Sequence, residues 1–143
     1  MTPDEARRRF AAARVAHLAT ADATFRPHLV PIVFALAGNT IYSAVDHKPK
    51  RTMELRRLAN IAENPVVAVL VDHYDDDDWD ELWWARADGE GRMLVPASEE
   101  ADRAIAQLRD RYAAYVDRPP AGPVLAVDVR RWSGWTGRGD HPA

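Results

Sequence analysis

The residue types best suited to chemistry lie in one short run of the chain, from Lys48 to Thr52. Lys48, Lys50 and Arg51 supply three cations and Thr52 a hydroxyl, and the chain has no other lysine. Ammonium groups act as point charges, whereas a guanidinium offers a planar fork that matches phosphate or carboxylate. A helix is predicted over 52–63, so its unpaired N–H groups would lie beside these side chains. The run therefore predicts an anion site, although a solvated basic turn has the same composition.

Other common chemistries lack a supporting pattern. The chain has no cysteine, which excludes disulfides, thiolate catalysis and cysteine-based zinc sites. Its five histidines include no close pair of the kind that ligates a metal, and no serine lies in a nucleophile-elbow pattern. The consecutive aspartates at 75–78 lack the spacing of a calcium loop and are interpreted as a solvated loop.

Composition bounds the architecture. The 143 residues suit a single domain over 1–143, and 47% hydrophobic residues allow a real core. A formal net charge of −3 gives no indication of nucleic-acid binding. No apolar run reaches the roughly 18 residues of a membrane span, and the amino terminus does not read as a secretory signal. We therefore expect no membrane partner and a cytoplasmic location.

The first half of the chain predicts a helix and then strands. A helix over 3–13 begins at a Thr2 cap, and strands follow over 15–20, 28–36 and 40–45. Pro31 lies inside the second strand and indicates an edge, a bulge or a ligand site. Gly38 and Asn39 form a hairpin turn, so these strands are predicted to be an antiparallel meander.

The second half continues in the same way. In the helix over 52–63, the inward face is predicted to be Leu55, Leu58, Ala59 and Ala62. Strands are predicted over 66–71, 82–87 and 92–95, the last two joined by a turn at 88–91. Ser98 caps a third helix, and 124–129 alternates as a strand. The fold class is therefore mainly β (α+β), an antiparallel split β-barrel of six or seven strands with peripheral helices.

Three motifs, in their order along the chain, carry a family resemblance. They are the run at 46–51 (Asp-His-Lys-Pro-Lys-Arg), the tryptophan segment at 79–86 (Trp-Asp-Glu-Leu-Trp-Trp-Ala-Arg) and the tail at 131–135 (Arg-Trp-Ser-Gly-Trp). Over nearly its full length the chain resembles the pyridoxamine-phosphate-oxidase-like flavin-type split barrels, and in these motifs the branch of probable deazaflavin-dependent enzymes.

The resemblance implies a site as well as a fold. It implies a homodimer with cofactor sites between subunits, and a cofactor phosphate held by Lys48, Lys50, Arg51 and Thr52. It implies that the tricyclic ring of the cofactor lies along the second strand, at Val30, Pro31, Ile32 and Val33. It also favours Trp79 as the tryptophan at the site. Arg56 and Arg57 are candidates for an anionic cofactor tail, or are solvated helix residues.

The function implied is an oxidoreductase that transfers a hydride between the reduced deazaflavin coenzyme F420 and a small electron-poor substrate. FMN is the alternative cofactor, since the fold accepts either. A protein that binds the cofactor without turnover, and a purely structural dimer with an empty cleft, remain open at this point. No obligatory acid or base is visible in the sequence, which fits a protein whose cofactor supplies the chemistry.

Overall fold

A computed structural model describes residues 1–45 and 51–139, and of residues 51–55 it describes the backbone alone. The helices are α1 (Pro3–Ala12), α2 (Arg51–Glu63), α3 (Glu99–Arg111) and α4 (Ala114–Asp117), with a short 3₁₀ helix at Trp79–Glu81. The strands are β1 (Ala16–Ala21), β2 (Pro27–Ile32), β3 (Ala35–Ala37), β4 (Thr40–Ala44), β5 (Val66–His73), β6 (Trp83–Met93) and β7 (Val124–Thr136).

All seven strands form one antiparallel sheet in the order β2-β1-β5-β6-β7-β4-β3. Only residues 33 and 34 separate the two outermost strands of this order along the chain, and the sheet curls into a half-barrel. The predicted fold class, an antiparallel split β-barrel with peripheral helices, is confirmed. No helix among the described residues is long and apolar enough to cross a membrane.

The predicted meander is wrong in one respect. The run 28–36 is not one strand: β2 ends at Ile32 and β3 begins at Ala35. Between them the Phe34 N–H donates to the Tyr112 hydroxyl at 3.1 Å, so a side chain satisfies this backbone group instead of a strand. The β1–β2 and β3–β4 hairpins form as expected, but β4 pairs with β7, so the hairpins lie at opposite ends of the sheet order.

The predicted turn at 88–91 is also wrong, because β6 continues from Trp83 to Met93. The glycines there serve close packing. A Cβ on Gly89 would lie 2.2 Å from the carbonyl oxygen of Asp128, at a register shift between Asp88 and Gly89. A Cβ on Gly91 would meet the Ile61 side chain at 3.2 Å. Glycine in a strand thus marks a bulge and a close approach, not a chain reversal.

Helix α2 packs by a face that differs in part from the one predicted. Leu58 is half-buried, but Ala59 and Ala62 are exposed, and Asn60 and Ile61 are buried. Asn60 faces inward because its Nδ2 donates to the hydroxyl of buried Thr20 at 3.0 Å. A buried amide is tolerated where it finds such a partner. The side chain of Leu55 lies outside the described part of the chain.

Two hydrophobic clusters flank the strands β4 and β7. The larger fills the half-barrel around Phe10, Leu18, Phe34 and Val69, and the smaller packs beneath α3 around Leu108. Strand β7 serves both, so all four residues Val124–Val127 are buried. The predicted alternation of Leu125, Val127 and Val129 toward one face therefore holds, but α3, not solvent, covers the other face. The Ser98 hydroxyl caps α3 as predicted, accepting from the N–H of Ala101 at 3.2 Å.

An ionic network fastens α3 to the sheet. Both terminal nitrogens of Arg92 donate to Glu100 at 2.7 Å, and Nε of Arg92 donates to Asp128 at 2.8 Å. The Tyr42 hydroxyl donates to Glu100 at 2.8 Å. The hydrogen bonds from Arg92, and then from Tyr42, lower the pKa of Glu100 from 4.5 to about 2. The hydrogen bond from Arg92 also lowers the pKa of Asp128.

Acid should weaken the protein through this network. A depressed carboxyl pKa stabilises the fold above pH 4.5, and this contribution is lost as the pH falls toward about 2. We expect Glu100→Gln to flatten the dependence of the urea-unfolding free energy on pH across this window. The effect should be modest, because the side chains of Arg92 and Glu100 are 42% and 29% exposed. Glu99→Gln, at a 97% exposed side chain, is the control; equal pH curves for Glu100→Gln and the wild type would contradict the prediction.

Candidate functional site

A cavity of about 530 Å³ opens where β2 ends, β4 ends and α2 passes over the sheet. Its volume falls within the range of small-molecule and cofactor sites. The lining residues come from β2, β4, α2 and the segment around α4, and they are Val15, Pro31, Ile32, Val33, Ser43, Ala44, Arg57, Tyr112, Ala114 and Tyr115.

The site residues predicted from the sequence lie in different parts of the structure. Pro31, Ile32 and Val33 line this cavity, whereas Val30 is 8% exposed and packs within the half-barrel. Val30 and Ile32 share the inward face of β2, so the position of Ile32 at the end of the strand, and not the alternation of faces, brings it to the cavity. Trp79 is 67% exposed at the start of the 3₁₀ helix and is not among the lining residues.

The basic run is only partly described. Lys48 and Lys50 lie outside the described residues, and the side chains of Arg51 and Thr52 do as well. The backbone of Arg51 opens α2, one residue earlier than predicted, and Ala44 at the end of β4 lines the cavity. The run therefore connects a cavity-lining strand to the helix that carries Arg57 into the same cavity. Its role in holding a phosphate stays a prediction.

The wall beside β2 is fixed by hydroxyl groups that sequence reasoning did not single out. The buried Ser43 donates its Oγ hydrogen to the carbonyl oxygen of Val33 at 2.9 Å. The Tyr112 hydroxyl accepts from the N–H of Phe34 at 3.1 Å and lies 2.9 Å from the carbonyl oxygens of both Phe34 and Arg14. These contacts hold the chain between β2 and β3 in one conformation. Only the tertiary structure brings Ser43 and Tyr112 to this corner, so no local motif could have identified them.

The electrostatics of the cavity favour an anionic ligand. Arg57 is the charged residue among its described lining residues, which include no Asp, Glu or His. Two further guanidinium groups lie close behind the wall, since Arg14 stacks 4.6 Å over the Tyr112 ring and Arg111 4.8 Å over the Phe34 ring. Apolar side chains, two tyrosine rings and a cation together suit a planar molecule with a negative group. The described lining offers no carboxylate or imidazole for acid–base catalysis.

The tryptophans of the second motif wall a separate cavity of about 360 Å³ on the outer face of the sheet. Its lining comes from β5, β6, β7 and the loop before β6, and consists of Leu70, Asp72, His73, Tyr74, Leu82, Trp83, Trp84, Arg86 and Trp135. The ring of Trp84 lies under Arg86 at 5.5 Å, and that of Trp83 under Arg9 of α1 at 5.3 Å. The two rings thus occupy opposite faces of β6, although both residues reach the wall of this cavity.

Two further candidates for chemistry, Trp132 and the acidic loop at 75–78, have structural explanations. Trp132 packs against Phe10 with ring centroids 5.1 Å apart, and its Nε1 donates to Asn39 at 3.0 Å. In the acidic loop, Asp75 accepts from the N–H groups of Asp77 and Asp78. The described residues contain no group of three or more His, Asp or Glu side chains placed to hold a metal ion.

The sequence matches the family described as pyridoxamine 5'-phosphate oxidase over residues 2–136. The chain belongs to the pyridoxamine 5'-phosphate oxidase family. No curated protein matches it. This family includes many flavin-binding oxidoreductases, and its members bind small-molecule cofactors.

Solved structures share the fold of this pyridoxamine 5'-phosphate oxidase family member. An FAD-binding protein from Mesorhizobium loti is 19% identical with a TM-score of 0.70, and the alignment covers 94% of each chain. The heme storage protein HutZ from Vibrio cholerae is 18% identical with a TM-score of 0.71 over 95% of each chain. An FAD-binding protein from Mycobacterium smegmatis is 17% identical with a TM-score of 0.62 over 94% of each chain. At these identities the likeness shows the fold alone.

Proposed function

We propose that this protein binds an anionic flavin-type cofactor in the cavity beside α2 and works as an oxidoreductase. The observation that carries the proposal is the lining of that cavity, in which Pro31, Ile32 and Val33 form an apolar wall and Arg57 supplies positive charge. Membership of the pyridoxamine 5'-phosphate oxidase family and the two FAD-binding structural neighbours support a flavin-type cofactor.

Coenzyme F420 is the cofactor we propose first, and FMN is the alternative. The proposal rests on the three motifs at 46–51, 79–86 and 131–135 that resemble the deazaflavin branch. When bound, a reduced deazaflavin supplies a hydride for an electron-poor substrate. The protein's part is to bind, to orient and to exclude water, which fits a cavity whose described lining has no carboxylate or imidazole. In this proposal the cations at Lys48, Lys50 and Arg51, with Thr52 and Arg57, hold the cofactor's phosphate.

A homodimer belongs to the same proposal. The outer face of β2, β1, β5 and β6 carries exposed apolar side chains, including Leu29 at 68% and Val66 at 64% exposure. Exposed apolar patches on a sheet face are typical of association surfaces. Pro31 is exposed on this face and also lines the cavity, so a second copy seated there would lie beside the cofactor. The mass of the purified protein in solution tests this part.

Titration of the cofactor-free protein with F420 and, separately, with FMN tests the function. We expect F420 to bind more tightly and to change the tryptophan fluorescence, followed by hydride transfer to members of a panel of electron-poor acceptors. Tighter binding of FMN would indicate an FMN-dependent oxidoreductase instead. Tight binding without turnover would favour a carrier. Binding of neither would overturn the proposal.

A further inference from the structure

A second and smaller cavity, of about 150 Å³, lies at the other end of β2 between α2 and the first hairpin. Its lining is more polar than that of the large cavity and consists of Asp22, Arg26, Pro27, His28, Arg56 and Asn60. Three of these six side chains are basic. Arg26 and His28 have no part in the proposed binding of the flavin-type cofactor in the large cavity.

The cations of this cavity outnumber the available carboxylates. Arg26 and Arg56 form no ion pair with a described residue. One carboxylate oxygen of Asp22 already accepts from the hydroxyl and N–H of Thr24 and from the N–H of Arg26, at 2.7 to 3.0 Å. The nearby carboxylate of Glu63 accepts from the N–H of Ala23 at 3.0 Å. Both acids thus stabilise the hairpin loop. The side-chain hydrogen bond from Thr24 and, to a smaller extent, the charge of Arg26 lower the pKa of Asp22, so Arg26 partly balances this carboxylate and Arg56 leaves the lining with a net positive charge.

His28 lines the same cavity, and its side chain is half-buried. Its Nδ1 atom is closed off from solvent and has no hydrogen-bond partner among the described residues, so the ring meets the cavity with its other atoms. The imidazole therefore lies close enough to an anion in the cavity to report its binding.

We propose that Arg26, His28 and Arg56 form a binding site for an oxyanion group, either phosphate or carboxylate. Two guanidinium groups offer forked donors to such a group, and the His28 ring forms part of the wall. The volume of about 150 Å³ suits a single oxyanion group and not a ring system. The site is therefore distinct from the large cavity.

The two cavities share a helix and a strand. Arg56 lines the small cavity and the adjacent Arg57 the large one. Strand β2 runs from His28 at the first to Ile32 at the second, a span of about 13 Å at the usual rise per residue. A cofactor with its ring in the large cavity and a chain ending in an anion would reach both. This attachment rests on the proposed function, whereas anion binding at the small cavity does not.

The test uses Arg26→Gln and Arg56→Gln, with Arg8→Gln on the exposed face of α1 as a matched control. In the first arm, inorganic phosphate is added at constant ionic strength, and the imidazole NMR resonances of His28 are followed. We expect a saturable shift in the wild type and in Arg8→Gln, and its loss in both other variants. An absent shift in the wild type, or an equal shift in all four proteins, would overturn the site.

In the second arm, each protein is titrated with F420 and with the same deazaflavin ring lacking phosphate and tail. If the oxyanion belongs to the cofactor, Arg26→Gln and Arg56→Gln weaken F420 binding about tenfold and leave the ring compound unchanged. If His28 responds to phosphate but both affinities stay the same, the site binds a separate anion. If neither deazaflavin binds to any protein, the assignment of F420 as the cofactor fails while the phosphate arm still decides the site.

Discussion

Replacing Gly89 with alanine is expected to lower the free energy of unfolding by roughly 3 kcal/mol, the upper range for an overpacked interior position. The added Cβ would lie 2.2 Å from the carbonyl oxygen of Asp128, and a backbone atom cannot rotate away as a side chain does. The strands β6 and β7 would have to separate at their bulge. Urea unfolding followed by tryptophan fluorescence measures the loss.

The matched control is Gly91→Ala, two residues along the same strand. There the nearest atoms belong to the Ile61 side chain at 3.2 to 3.3 Å, and a side chain can move by a few tenths of an ångström. We expect Gly91→Ala to cost clearly less than Gly89→Ala. Equal stability of the two variants would show that close approach at the bulge is not what selects glycine at position 89.

The bulge also decides which tryptophan enters the core. On β7, Val127 and Val129 face inward before it, and Trp132 faces inward after it. Asp88 pairs with Arg131 and Gly89 with Val129, so Arg130 is the extra residue that changes the inward positions from odd to even numbers. A strained or shifted bulge in Gly89→Ala would therefore disturb the contact of Trp132 with Phe10, which the fluorescence reports.

Replacing Arg57 with glutamine is expected to weaken binding of the flavin-type cofactor by about 1.5–3 kcal/mol, or roughly 10- to 150-fold in Kd. Arg57 is the cation of the described cavity lining, and an uncharged amide of similar length keeps most of the packing while removing the charge. Arg57→Lys should recover part of the affinity, since an ammonium keeps the charge but loses the planar fork. Fluorescence titration measures all three proteins.

Arg8→Gln serves as the control here too, because it removes one positive charge from an exposed helix position. It should bind the cofactor like the wild type. Urea unfolding of Arg57→Gln separates a lost ligand contact from a damaged fold. Wild-type affinity in a folded Arg57→Gln protein would remove Arg57 from the site, and equal weakening in Arg8→Gln would show that net charge alone matters.

The site could be anticipated only in part. Pro31 within an apolar strand indicated a ligand position or a strand edge, and Pro31, Ile32 and Val33 do line the large cavity. Arg57 was one candidate for an anionic tail, with no local signal to separate it from the neighbouring Arg56. Ser43 and Tyr112 were not anticipated, since Tyr112 reaches the corner at Phe34 across 78 positions of sequence.

The sequence by itself determined the local elements and the class of fold. Thr2 and Ser98 cap α1 and α3 because a side-chain oxygen satisfies a helix N–H within three residues, as the Glu5 and Ala101 N–H groups show. Apolar runs and turn residues likewise specified an antiparallel, mainly β domain. Such signals act over a few residues and survive any tertiary arrangement.

Only the tertiary structure decided the roles of Gly89 and Gly91, the buried face of α2 and the linings of the two cavities. Gly89 and Gly91 read locally as a turn, but distant partners, Asp128 and Ile61, give them their role. Asn60 faces inward because Thr20, forty positions earlier, accepts its hydrogen bond. Strand pairing and buried polar contacts join residues far apart in sequence, so their energies are absent from any local pattern. The separation of Arg56 and Arg57 into two cavities is of the same kind.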